Sequence, residues 1–184
     1  MFSPYTDGML VAMFTMAFFG FLRCGEFTTH TSSNTKDSIR VQDIIVAADN
    51  SGYTLHLRTS KTDPFRQGVD IRICKNKTLC PVEAMLAYLK LRYRKNDMPS
   101  SPLFVNHNNI AITREEFLVQ VKHVLMKAGF DDSKYCGHSF RIGAATTAAR
   151  AGVEDHMIQA LGRWSSSYTT DISESPQTLY LKLE

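Results

Sequence analysis

The chain has 184 residues, 43% of them hydrophobic, enough to bury one good core as a single domain spanning 1–184. A net charge of +3 and a pI near 8.7 permit a nucleic-acid partner without demanding one. Cys24, Cys74, Cys80 and Cys136 show neither zinc-ligand spacing nor a secreted disulfide framework, which points to reduced thiols in an intracellular protein.

In chain order, Ser3-Pro4 and Thr6-Asp7 are good helix-starting chemistry. Leu10, Met13, Phe14, Ala17, Phe18 and Phe21 then recur at helical spacing. A buried first helix is expected, closed by Gly25, with Arg23 near its C-terminal end. Residues 9–22 are the most apolar stretch, yet they fall short of the ~20 residues a bilayer span needs. They also lack the basic front and cleavage-type end of a secretory signal, so no membrane partner is expected.

Residues 30–37 are polar and Ser/Thr-rich, a loop. The period then changes to two. Residues 41–48 form a strand candidate and 49–52 a turn; Tyr53, Leu55 and Leu57 alternate with polar neighbours. After a break at 61–68, Val69, Ile71 and Ile73 alternate again. A three-stranded antiparallel sheet follows, with Lys61 near its second turn.

From Pro81 the pattern is helical, with Val82, Met85, Leu86 and Leu89 on one face. Residues 103–105 read as a short extended piece. Thr113-x-x-Glu116 is a capping box opening a helix that Gly129 stops. Further helices are expected over 139–151, stopped by Gly152, and over 155–161, before a Ser/Thr-rich tail. The order predicts an α+β domain, mainly helical.

The chemistry concentrates in Gly137-His138-Ser139-Phe140-Arg141-Ile142-Gly143. His138 and Arg141, three apart, share a helix face, so an imidazole and a guanidinium point the same way. A permanently charged planar fork beside a proton-handling ring suits a phosphodiester. Gly162-Arg163-Trp164 follows across one helix; Arg23 lies in Phe21-Leu22-Arg23-Cys24-Gly25-Glu26-Phe27 and Lys61 in Thr59-Ser60-Lys61-Thr62-Asp63. Each has a blander explanation: Arg23 or Arg141 as a cation paired with Glu26, Lys61 as a solvated turn lysine, His138 as a helix-start residue, Trp164 as a core anchor. His30, His56, His107, His123 and His156 have no partner spacing that suggests metal.

Taken in order, these motifs resemble the catalytic domain of the tyrosine recombinases, the phage-integrase-like enzymes, over nearly the whole chain. The resemblance is nearest to recombinases of eukaryotic mobile elements and their domesticated relatives; type IB topoisomerases share the catalytic set but not this motif context. It implies double-stranded DNA as partner, with other protomers on the same DNA, and nuclear location in a eukaryote. Arg23 and Arg141 would clamp the scissile phosphate, with Lys61 as a further phosphate contact that protonates or orients the leaving 5′ oxygen. His138 would serve as general base or hydrogen-bonding group and Trp164 would donate its indole N–H. Neither metal, small-molecule cofactor nor ATP is implied, because a phosphotyrosine link conserves the bond energy. Full-length members add an N-terminal core-binding clamp domain, which is not expected within this sequence.

One part of the family pattern is missing. The nucleophilic tyrosine follows the His/Trp position by about eight or nine residues in the family, where this chain has Ile172 and Ser173. Aligning the tail through Ser175-Pro176-Gln177-Thr178-Leu179 calls for a one-residue deletion and puts Asp171 at the tyrosine position. Tyr168, four residues past Trp164, is the nearest tyrosine and the candidate nucleophile; Tyr180 is sixteen past. The expected function is a recombinase or integrase-type domain for DNA recombination and integration with impaired strand cleavage and rejoining. The alternative is a domesticated, catalytically inactive module that keeps the clamp for DNA binding or protein interaction.

Overall fold

The computed structural model describes residues 2–33, 35–36, 38–58, 68–93 and 98–164. Helix α1 (Pro4–Phe19) starts where Ser3 accepts the Thr6 amide and Pro4 takes the first helical position. Met9, Leu10, Ala12, Met13, Thr15, Met16 and Ala17 are all buried, as a helix central to the core requires. Thr15 meets that burial by donating its hydroxyl to the Val11 carbonyl at 2.8 Å.

The end of α1 departs from the sequence expectation. The helix stops at Gly20, not Gly25, because Phe21 turns left-handed (φ 51°) and the Leu22 amide reaches back to the Ala17 carbonyl. Arg23 is therefore not a helix-end residue. It is the N-cap of a separate short helix, α2 (Cys24–Phe27), which contains Gly25.

Strands β1 (Ile44–Val46), β2 (Gly52–Leu57) and β3 (Val69–Cys74) form an antiparallel sheet in that order. Ile44 pairs with Leu55, and Tyr53 with Ile73. Tyr53, Leu55 and Leu57 face the core, as their alternation predicts. The first strand is shorter than 41–48. Asp43 accepts the Arg40 amide at 2.8 Å and the Arg58 fork at 2.7 and 2.6 Å, which winds Val41–Asp43 into a 3₁₀ turn.

Helix α3 (Pro81–Tyr93) lays Val82, Met85, Tyr88 and Leu89 against α1. Helix α4 (Arg114–Lys127) opens with Thr113 and Glu116 capping each other, at 3.2 and 2.8 Å. The chain leaves it through Gly129 at φ 79°. Helices α5 (Ser139–Arg150) and α6 (Asp155–Gly162) follow, with Gly152 at φ 80° between them. Leu103, Phe104 and Val105 are buried, and Val105 bridges Ala111.

The architecture is the expected mainly helical α+β fold. Its main core lies among α1, the sheet, α3 and α4, and a second, smaller core joins the end of α1 to α5 and α6. Phe21, Ala144, Ala145 and Ile158 form that smaller core, with Phe18 and Trp164 against it. Among the described residues, no helix is long and apolar enough to cross a membrane.

Candidate functional site

The smaller core is the floor on which the sequence-derived residues meet. The Cys24 amide donates to the Gly137 carbonyl at 3.3 Å, joining the chain just after Arg23 to the chain just before His138. His138 is the exposed N-cap of α5, and its carbonyl accepts the Ile142 amide at 3.0 Å, which starts the turn carrying Arg141. Arg141 points inward, its side chain only 3% exposed.

At the centre is Glu26, whose side chain is 7% exposed and which faces three arginines. Arg23 Nη1 lies 3.4 Å from Oε1; Arg163 Nη2 lies 3.2 Å and Arg141 Nη1 4.0 Å from Oε2. Glu26 Oε2 also accepts the Arg23 backbone amide at 2.8 Å. One carboxylate against three guanidinium groups leaves the cluster with two net positive charges. Burial and the neighbouring Arg23 push the Arg141 pKa down to about 10, with Glu26 opposing them, so the group stays charged at neutral pH.

Arg141 donates from Nη2 to the Gly162 carbonyl, and its guanidinium carbon lies 5.5 Å from the centre of the Trp164 ring. Gly162 is small for a reason: a Cβ there would fall 2.9 Å from the Trp164 ring. Nε and Nη1 of Arg141 are buried without a hydrogen-bond acceptor among the described residues. A buried donor left unmade is costly, so these two are the places an incoming anion oxygen would be welcomed most.

Arg163, between Gly162 and Trp164, is a further member of the cluster that the motif itself does not mark. It adopts the left-handed conformation (φ 54°) past α6, where the Trp164 amide returns to the Gln159 carbonyl at 3.1 Å. Its guanidinium donates to the carbonyls of Gly20 and Phe21, each at 3.2 Å, at the end of α1. No sequence signal marks this, because glycine is the usual residue at such a position. Glu26 is the partner that the sequence offers for Arg23 or Arg141; both lie against it, and Arg163 is the addition.

Arg23, Arg141 and Trp164 are thus brought together by α2, α5 and the end of α6, and His138 lies at the start of α5, three residues before Arg141. Lys61, Tyr168, Asp171 and Tyr180 lie outside the described residues.

A family model described as the phage integrase family matches residues 12–173. The chain belongs to this family. Solved structures give the same fold. The XerA recombinase is 21% identical with a TM-score of 0.66, covering 96% of this chain and 57% of its own. The XerH site-specific recombinase, bound to difH substrate in a pre-cleavage complex, is 18% identical with a TM-score of 0.68, covering 98% and 47%. The Tn1549 transposon integrase, in complex with transposon right end DNA, is 14% identical with a TM-score of 0.55, covering 95% and 61%. This phage-integrase-family chain therefore spans about half the length of the first two solved relatives. No curated protein sequence matches it.

Proposed function

We propose that the chain binds duplex DNA as the catalytic-type domain of a tyrosine recombinase, with Arg23 and Arg141 clamping a backbone phosphate. The observation that carries this is the pair itself. Two guanidinium groups from opposite parts of the chain converge on Glu26, and Nε and Nη1 of Arg141 have no hydrogen-bond acceptor among the described residues. A phosphate offers charge and oxygens at the geometry such forks match. XerH and the Tn1549 integrase, both solved with DNA, add support from the family.

Strand exchange in such a site is a transesterification. A tyrosine hydroxyl attacks the phosphorus, the 5′ oxygen leaves with a proton, and the arginines stabilise the charge that builds on the phosphorane. His138 and Lys61 would handle the protons, and Trp164 would hold Arg141 from the far side. Turnover is impaired in this chain because Asp171 stands where the family tyrosine is expected and Tyr168 is only four residues past Trp164. A carboxylate there repels the phosphate. The chain's place is with its DNA, the nucleus in a eukaryotic cell.

Fluorescence anisotropy with a labelled duplex at low salt tests the proposal. Binding with little sequence preference is expected, since phosphate contacts carry no sequence information. A chain that stays unbound at low salt would instead be a protein-interaction module.

A further inference from the structure

We infer that Arg163 is a positioning residue for the DNA site: it neutralises Glu26, so that the charges of Arg23 and Arg141 remain available to phosphate. This rests on the proposed phosphate clamp. The three arginines around Glu26 are not equivalent. Arg163 has its own anchors, the Gly20 and Phe21 carbonyls, and makes its Glu26 contact at 3.2 Å. Arg141 stands off at 4.0 Å, with its Nη2 held by Gly162. Arg23 is the most open of the three, with a side chain 24% exposed against 13% for Arg163 and 3% for Arg141.

The arrangement divides labour by distance and exposure. The carbonyls at the end of α1 are a favourable place for a cation. A guanidinium fixed there and paired to Glu26 leaves Arg23 and Arg141 as the uncompensated charges of the cluster. Without Arg163, Glu26 would be a buried anion facing, among the described residues, Arg23 and Arg141, drawing both inward and opposing the phosphate. The left-handed backbone of Arg163, unusual for a side-chain-bearing residue, aims the fork at α1 while sending Trp164 back over Arg141.

A charge-compensation cycle separates this from simple bracing. Anisotropy would be measured with a fluorescein-labelled duplex of about 30 base pairs at low salt, on Arg163→Met, Arg163→Lys and the double variant Glu26→Gln/Arg163→Met, with folding checked by circular dichroism. R163M should bind about tenfold more weakly than the native chain, R163K within about threefold of it, and the double variant should recover to within about threefold. A folded double variant still tenfold weak would overturn the inference, because bracing lost with the guanidinium is not restored by removing a carboxylate charge. The double variant buries no uncompensated anion, so it decides the matter even if R163M alone does not fold. A native chain that fails to bind overturns the clamp itself, and this inference with it.

Discussion

The backbone amide of Cys24 bonds the Gly137 carbonyl at 3.3 Å, and the two segments touch so closely that a Cβ on Gly137 would lie 2.5 Å from Cys24 Sγ. This contact holds the Arg23 turn against the start of α5. Cys24 is buried, which pushes its thiol pKa up, while the neighbouring Arg114 draws it down. Gly137→Ala should therefore cost about 1–3 kcal/mol through overpacking and part Arg23 from His138. Urea unfolding would show the loss, and DNA affinity should fall with it. An unchanged midpoint would mean the two segments are free to separate.

Glu26→Ala should be more damaging. It leaves buried arginines without their counter-ion, a loss of about 3–5 kcal/mol. Glu26→Gln, which keeps an acceptor for the Arg23 amide, should cost less. Equal effects in urea unfolding would show that volume, not charge, is what matters at this position.

Gly162→Ala should push the indole of Trp164 off Gly162 and away from Arg141, given the 2.9 Å approach. Trp164 is the sole tryptophan, so its fluorescence reports the change without interference. A red-shifted, altered emission is expected. An unshifted spectrum would show that the ring has room to spare.

The fold was legible because its signals are local. The capping box of Thr113 and Glu116, the alternation through Tyr53, Leu55 and Leu57, and the stops at Gly129 and Gly152 each act within a few residues. The end of α1 carries no local signal because Phe21 takes the left-handed position where glycine is usual, as Arg163 does after α6. What holds those ends is tertiary: Arg163 reaches across 143 residues to the Gly20 carbonyl. The family resemblance picks out Arg23, Arg141 and Trp164, which lie together, and His138 at the start of α5; the sequence offers Glu26 as a partner for Arg23 or Arg141, but not as one carboxylate shared by three arginines. That partnership is a three-dimensional fact, since Glu26 meets Arg141 and Arg163 only after α5 and α6 have packed.

A nicked suicide duplex, which traps a phosphotyrosine intermediate, should accumulate no covalent adduct with the native chain. Asp171→Tyr alone should not restore it if, as proposed, the chain lacks one residue of the family spacing after Trp164, because a misplacement of ~1 Å can cost about 10²-fold. An inserted residue together with the tyrosine should restore some adduct. An adduct in the native chain that disappears with Tyr168→Phe would show that Tyr168 is the nucleophile. One mapped to Tyr180, or to another protomer, would show delivery by the tail.

The salt dependence of duplex binding tests the phosphate clamp most directly. For the native chain, log affinity should fall linearly with log salt concentration. Replacing Arg23 and Arg141 together by Ala should weaken binding alike for unrelated sequences and make that slope shallower by about 2, one for each lost phosphate contact. A double variant that keeps the native affinity and slope would contradict the clamp, because its two central cations would then make no contact with the DNA backbone.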